Sequence, residues 1–157
     1  MRAKPPRRHP LPPTLISVAD TVVVIDDDPV IQAILEAVLS SGGYRVELES
    51  EASEAVAAVR RAQPAVVLVD RMLPGRDGID LCHDLRALGG GGAPRSGAGG
   101  ESSSDPSPRP SIVLLTADAD RVRPEQATAA GIDAVVGKPF QPAQLLELLA
   151  RLRQQAS

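Results

Sequence analysis

Three runs of aliphatic and β-branched residues punctuate the chain: TVVVI (21–25), AVVLV (65–69) and SIVLL (111–115). Runs of this length without polar alternation suit parallel strands buried on both faces. Two weaker runs, YRVELE (44–49) and DAVV (133–136), bring the number of predicted strands to five. Between them, apolar residues recur at helical spacing. Asp28 reads as an N-cap and Pro29 as the first helical residue. The following VIQAILEAVLSS sets Val30, Ile31, Ile34, Leu35, Val38 and Leu39 on one face, expected to meet the core, and Gly42 and Gly43 stop the helix. Further helices are predicted over about 53–63, about 77–88 and within RPEQATAAG, which Gly131 ends. A closing helix turns Leu145, Leu146, Leu148, Leu149 and Leu152 inward. Five such βα units predict an α/β fold, a five-stranded doubly wound parallel sheet with helices on both faces.

Composition changes this picture at two places. Residues 1–20 carry Arg2, Lys4, Arg7 and Arg8 among five prolines and predict a disordered basic arm. In residues 89–110, sixteen of twenty-two positions are Gly, Ser or Pro, which predicts a flexible insertion before the fourth strand. The domain is expected to span 21–155. Tyr44 and Phe140 are the only aromatic residues, so the core is aliphatic, and this scarcity argues against single-strand nucleic-acid binding by base stacking. A single cysteine, Cys82, forms no internal disulfide, and no Cys/His cluster suggests zinc. No apolar run approaches the ~18 residues of a membrane span. A cytoplasmic protein without membrane contact is expected.

The chemistry gathers where the strands end. In open parallel sheets, ligands bind outside the carboxyl ends of the strands. The first strand runs into Asp26 and Asp27, the strand at 65–69 into Asp70, that at 111–115 into Thr116, and the last reaches Lys138. Clustered carboxylates repel unless a cation sits among them, and an all-oxygen set suits Mg²⁺. A carboxylate can also serve as nucleophile and form an aspartyl-phosphate, with lysine and hydroxyl meeting the phosphoryl group. For Asp26, Asp27, Asp70 and Lys138 a purely structural role would crowd charges without compensation. Asp28 is read as the helix cap, Asp77 with Gly78 as shaping a helix entry, Gly75 as a turn, and Cys82 and His83 as ordinary helix positions. GIDAVVGKP (131–139) departs from the phosphate-binding G-x-x-x-x-G-K-[ST] loop, with five residues between its glycines and Pro139 in place of the hydroxyl, which argues against nucleotide hydrolysis.

The segments VVVIDDDP, VVLVDRMLPGRDGIDLC, IVLLTA and VVGKPF, in this order, resemble the blocks of a response-regulator receiver domain, the partner of a sensor histidine kinase in bacterial two-component signalling. The resemblance spans 21 to about 155 apart from the insertion, and it implies a flavodoxin-like receiver fold. By position it implies Asp70 as phosphoacceptor, Thr116 and Lys138 as phosphoryl-contacting residues, and Mg²⁺ held by Asp27, Asp70 and the Met72 backbone carbonyl, with Asp26 acting through water. It further implies a cis Lys138–Pro139 bond and an influence of Met72 and Asp118 on the lifetime of the phosphoryl group. The implied partner is a histidine kinase or a histidine phosphotransfer protein. The implied chemistry is self-catalysed phosphorylation and dephosphorylation without turnover of a separate substrate.

Three departures matter, one being the insertion at 89–110, which lengthens the connection before the fourth strand. Val135 stands where the family usually has a switching aromatic residue. A stand-alone regulator with no output domain after Ser157, a protein target and no DNA-binding domain is expected. The alternatives are a constitutive interaction module that is not switched and an intermediate of a phosphorelay.

Overall fold

The computed structural model describes residues 21–89 and 109–156. The predicted arm lies outside the described residues, as do positions 90–108 of the predicted insertion. In chain order, β1 (Thr21–Ile25), α1 (Pro29–Ser41), β2 (Arg45–Glu49), α2 (Ala52–Ala62) and β3 (Val66–Asp70) form the first half. A small antiparallel pair follows, β4 (Met72–Leu73) and β5 (Arg76–Asp77), and leads into α3 (Gly78–Gly89). The second half holds β6 (Ser111–Thr116), α4 (Pro124–Ala129), β7 (Ala134–Gly137) and α5 (Pro142–Ala156). Five strands make one parallel sheet in the order β2-β1-β3-β6-β7. The predicted fold class is therefore observed, and the β4–β5 pair and a 3₁₀ turn at Ala119–Arg121 are elements that the apolar pattern did not announce, since such short pieces carry no periodicity.

The period-2 alternation of the strands divides the core. Val23, Ile25, Val67, Val69, Ile112 and Leu114 pack with Ala55 and Val59 of α2 and with Leu81, Cys82 and Leu85 of α3. Their neighbours Val22, Val24, Leu68, Val113 and Leu115 pack on the opposite side with Leu35 and Leu39 of α1 and Leu145, Leu149 and Leu152 of α5. The predicted caps of α1 are in place. The Asp28 carboxylate accepts from the Val30 amide at 2.9 Å, Pro29 opens the helix and Gly42 closes it.

The inward face predicted for α1 is too wide. Leu35 and Leu39 are buried, but Val30 is 63% and Ile34 44% exposed. α1 packs on β1, β2 and α5 through Leu35 and Leu39, with Ile31 and Val38 half-buried beside them, while Val30 and Ile34 lie on the side turned to solvent.

At the amino-terminal end of the strands, Arg86 of α3 ties the second half together. Its guanidinium donates to the Gly131 carbonyl and, at 2.7 Å, to the Asp133 carboxylate, whose same oxygen accepts from the Ile112 amide at 2.8 Å. Gly131 has φ +72°, and a Cβ there would lie 2.5 Å from the Arg86 Nε, so both conformation and space require glycine. Arg86 thus joins α3 to the segment before β7, and through the shared Asp133 carboxylate to the start of β6.

The contrast along α1 is testable. Leu35→Ala removes a fully buried side chain and is expected to cost about 2–5 kcal/mol, whereas Val30→Ala is expected to stay within about 0.5 kcal/mol of the parent. Urea unfolding of both variants measures this, and equal losses would contradict the assigned helix face.

Candidate functional site

The carboxyl ends of the strands bring the predicted residues together. The Asp26 amide donates to the Glu49 carbonyl at 3.0 Å and so carries the β1–β2 pairing one residue beyond Ile25. This extension turns the Asp26 side chain inward, where it is fully buried. Its Oδ1 accepts from the Asp28 amide at 2.9 Å. Asp27, next along the turn, is exposed. Asp70 closes β3, also buried, and its Oδ1 accepts from the Met72 amide at 3.2 Å. The β4–β5 pair folds the chain back so that the Gly78 amide donates to the Arg71 carbonyl at 2.8 Å. A Cβ on Gly78 would lie 2.3 Å from the Asp70 carbonyl oxygen. Gly78 thus does more than shape a helix entry, because only glycine lets the start of α3 rest against the peptide of Asp70 and hold it still.

Lys138 reaches the carboxylates from β7. Its backbone amide donates to the Thr116 carbonyl at 2.8 Å, and its Nζ donates to Asp70 Oδ1 at 3.1 Å and to Asp26 Oδ2 at 3.2 Å. The Lys138–Pro139 bond is cis, as the resemblance implies. Thr116 is buried, and its Oγ1 accepts from the Asp118 amide at 3.1 Å, which leaves the hydroxyl proton free to donate elsewhere. The Met72 side chain is 76% exposed beside Asp70, and Asp118 is exposed beside Thr116. Asp28 and Gly75 fill the local roles read for them, as cap and as left-handed turn. Cys82 lies in the core and His83 on the surface of α3. Burial, and then the charge of Asp77, push the Cys82 thiol up to about 12, so it stays neutral and unreactive.

Burial raises the Asp26 carboxyl above its usual 3.8, opposed by the bond from the Asp28 amide and reinforced by the charge of Asp70. For Lys138, burial alone would push the ammonium down. Its hydrogen bonds to Asp70 and Asp26, with their charges, outweigh that and hold it above 10.5.

Carboxylate oxygens of Asp26, Asp27 and Asp70 lie within 4.8 Å of one another. Three ionised carboxylates against one ammonium leave two negative charges in excess. The donors are all oxygen, and one of the three carboxylates opens to solvent, so a hydrated divalent cation such as Mg²⁺ suits both the charge and the chemistry. A cleft of about 270 Å³, lined by Arg86, Arg109, Asp133 and Gln155 among others, lies at the opposite end of the sheet and has no part in this arrangement.

The response regulator receiver domain family matches residues 22–94. The DNA-binding response regulator MtrA of Mycolicibacterium smegmatis is 38% identical over 132 residues, 84% of this chain and 48% of that protein. The receiver domain of the sensor histidine kinase PA1611 from Pseudomonas aeruginosa, solved with a magnesium ion coordinated in its active-site cleft, superposes with a TM-score of 0.67 at 29% identity, covering 87% of this chain and 98% of that one. The BeF3-activated receiver domain of Klebsiella pneumoniae RstA gives the same TM-score and identity, covering 86% and 99%. With this fold and these strand-end residues, the chain belongs to the response regulator receiver domain family.

One expectation is overturned. The absence of a DNA-binding domain does not hold for the curated relatives, which include DNA-binding response regulators, and the chain spans about half the length of those it matches. The expectation rested on where the sequence stops, and that says nothing of what the whole protein carries. Among the described residues, no helix is long and apolar enough to cross a membrane.

The charge arrangement implies a cost to the fold. Below pH 3.8 Asp26 holds its proton in both folded and unfolded chains and adds no penalty. Above it the unfolded chain ionises first, so the folded state loses ground until the raised native value is passed. Asp26→Asn is therefore expected to raise the unfolding midpoint of the metal-free protein at neutral pH, with the advantage vanishing as pH falls towards 3.8. A midpoint at or below that of the parent would show that the bond to Lys138 outweighs the burial.

Proposed function

We propose that this chain is a phosphorylation-dependent switch that takes a phosphoryl group from the histidine of a sensor kinase, or of a histidine phosphotransfer protein, onto Asp70. The observation that carries this reading is the position of Lys138 Nζ, bonded to Asp70 at 3.1 Å and Asp26 at 3.2 Å, with Asp27 at the same cluster. An Asp70 oxygen attacks phosphorus, the new O–P bond forms as the N–P bond to the histidine breaks, and the imidazole departs. Lys138, bonded to the same carboxylate, is placed to follow the charge onto the phosphoryl oxygens, and the free Thr116 proton is available to donate to one of them. Asp26, Asp27, Asp70 and the Met72 carbonyl would hold Mg²⁺, Asp26 acting through water, and the chemistry supplied there is neutralisation of charge on the transferring group. Slow hydrolysis of the acyl phosphate resets the domain. No separate substrate is turned over, and a cytoplasmic setting suits such a reaction.

Val135 supports a second reading. On β7 it pairs with Leu114 of β6 and packs half-buried against the core on the α3 side. An aliphatic side chain fixed there has no ring to rotate, which favours a constitutive interaction module. Beryllofluoride, a phosphoryl mimic, separates the two: amide shifts that spread from Asp70 to Val135 and α5 speak for the switch, and shifts confined to the site for the module.

The direct test of the main reading is intact mass after incubation with acetyl phosphate and Mg²⁺. The wild type is expected to gain one phosphoryl group and to lose that gain with a chelator present, while Asp70→Asn gains none. Equal phosphorylation of Asp70→Asn would refute the assignment.

A further inference from the structure

We infer that Gln32 is a positioning residue for the acidic turn. This inference rests on the reading of Asp26, Asp27 and Asp70 as a Mg²⁺ site. The turn Asp26–Asp28 must hold two carboxylates close to a third against their mutual repulsion. Three of its anchors are backbone or aspartate groups already described: the Asp26 amide on Glu49, the Asp28 amide on Asp26, and the Asp28 carboxylate on the Val30 amide. The remaining polar group of Asp26 is its carbonyl, which belongs to the peptide leading into Asp27. Gln32, one turn into α1, donates its Nε2 to that carbonyl at 2.6 Å in a half-buried position. The Gln32 amide itself donates to the Asp28 carbonyl at 3.0 Å. One residue thus grips the turn at both ends, and fixing the Asp26–Asp27 peptide plane fixes where the Asp27 carboxylate stands.

The residue type is informative. A lysine or arginine would supply the donor too, but would add positive charge beside a cluster that must accept a cation. Glutamate would offer only acceptors to a carbonyl. Glutamine gives a donor of the right reach with no charge, so it orders the turn without competing for the carboxylates. Partners that orient metal ligands from behind commonly matter about 10–100-fold in metal affinity.

The test uses Gln32→Met, which keeps length and volume but has no donor, and Gln32→Arg, which keeps a donor and adds charge. In the metal-free proteins, amide hydrogen exchange reads the turn directly. Faster exchange at Asp28 in Gln32→Met, with β3 and β6 unchanged, is expected, and unaltered exchange there overturns the positioning role whether or not a metal binds. Titration with Mg²⁺ alone, followed by amide shifts, reads the consequence. Gln32→Met is expected to need about tenfold more Mg²⁺ for half-saturation at any ionic strength. Gln32→Arg is expected to weaken binding as well, but with a loss that shrinks as salt screens the added charge. Wild-type affinity in Gln32→Met overturns the inference, whereas a wild type that fails to bind Mg²⁺ overturns the metal site and leaves the exchange result to judge Gln32.

Discussion

The Lys138 ammonium is the interaction on which the rest of the site depends. In the order β2-β1-β3-β6-β7, its strand lies two places from β3 and three from β1. At about 4.8 Å per strand, that is about 10 and 14 Å of sheet to cross. A long, flexible cation meeting two inward-turned carboxylates closes this distance. It compensates two buried charges at once, and removing the ammonium would leave both carboxylates buried without a cation, which is costly. One side chain thus ties the ends of β1 and β3 to the end of β7.

The site is therefore built from conflict that the fold contains. Burial holds the Asp26 carboxyl above its ordinary range, and the third carboxylate has no cation of its own among the described groups. The opposite end of the sheet shows the contrary design. There Arg86 and Asp133 meet as a matched pair, each also bonded to backbone. Charge is matched at one end of the sheet, and carboxylates outnumber cations at the other.

Much of this was legible in the sequence, for physical reasons that differ from residue to residue. Strands buried on both faces must be apolar throughout, so TVVVI, VVLV and SIVLL announced themselves, and residues that end such strands in a parallel sheet must share a rim. Asp26, Asp27, Asp70, Thr116 and Lys138 were placed together by topology alone. What escaped depends on tertiary context. The exposure of Val30 and Ile34 depends on how α1 is turned against the sheet. The role of Gly78 lies in a 2.3 Å approach to a distant backbone oxygen. Gln32 has the composition of any helix surface position, and only the observed bond to the Asp26 carbonyl separates it from its neighbours. The expectation about output domains failed for another reason, since the end of a sequence carries no physical information about what adjoined it.

Borohydride reduction of the phosphorylated protein, followed by peptide mass mapping, tests the central claim most directly, because it converts an acyl phosphate to an alcohol at the residue that carried it. Homoserine is expected at position 70 and nowhere else. Homoserine at position 26 or 27, or a phosphorylated protein with no reducible acyl phosphate, would contradict it.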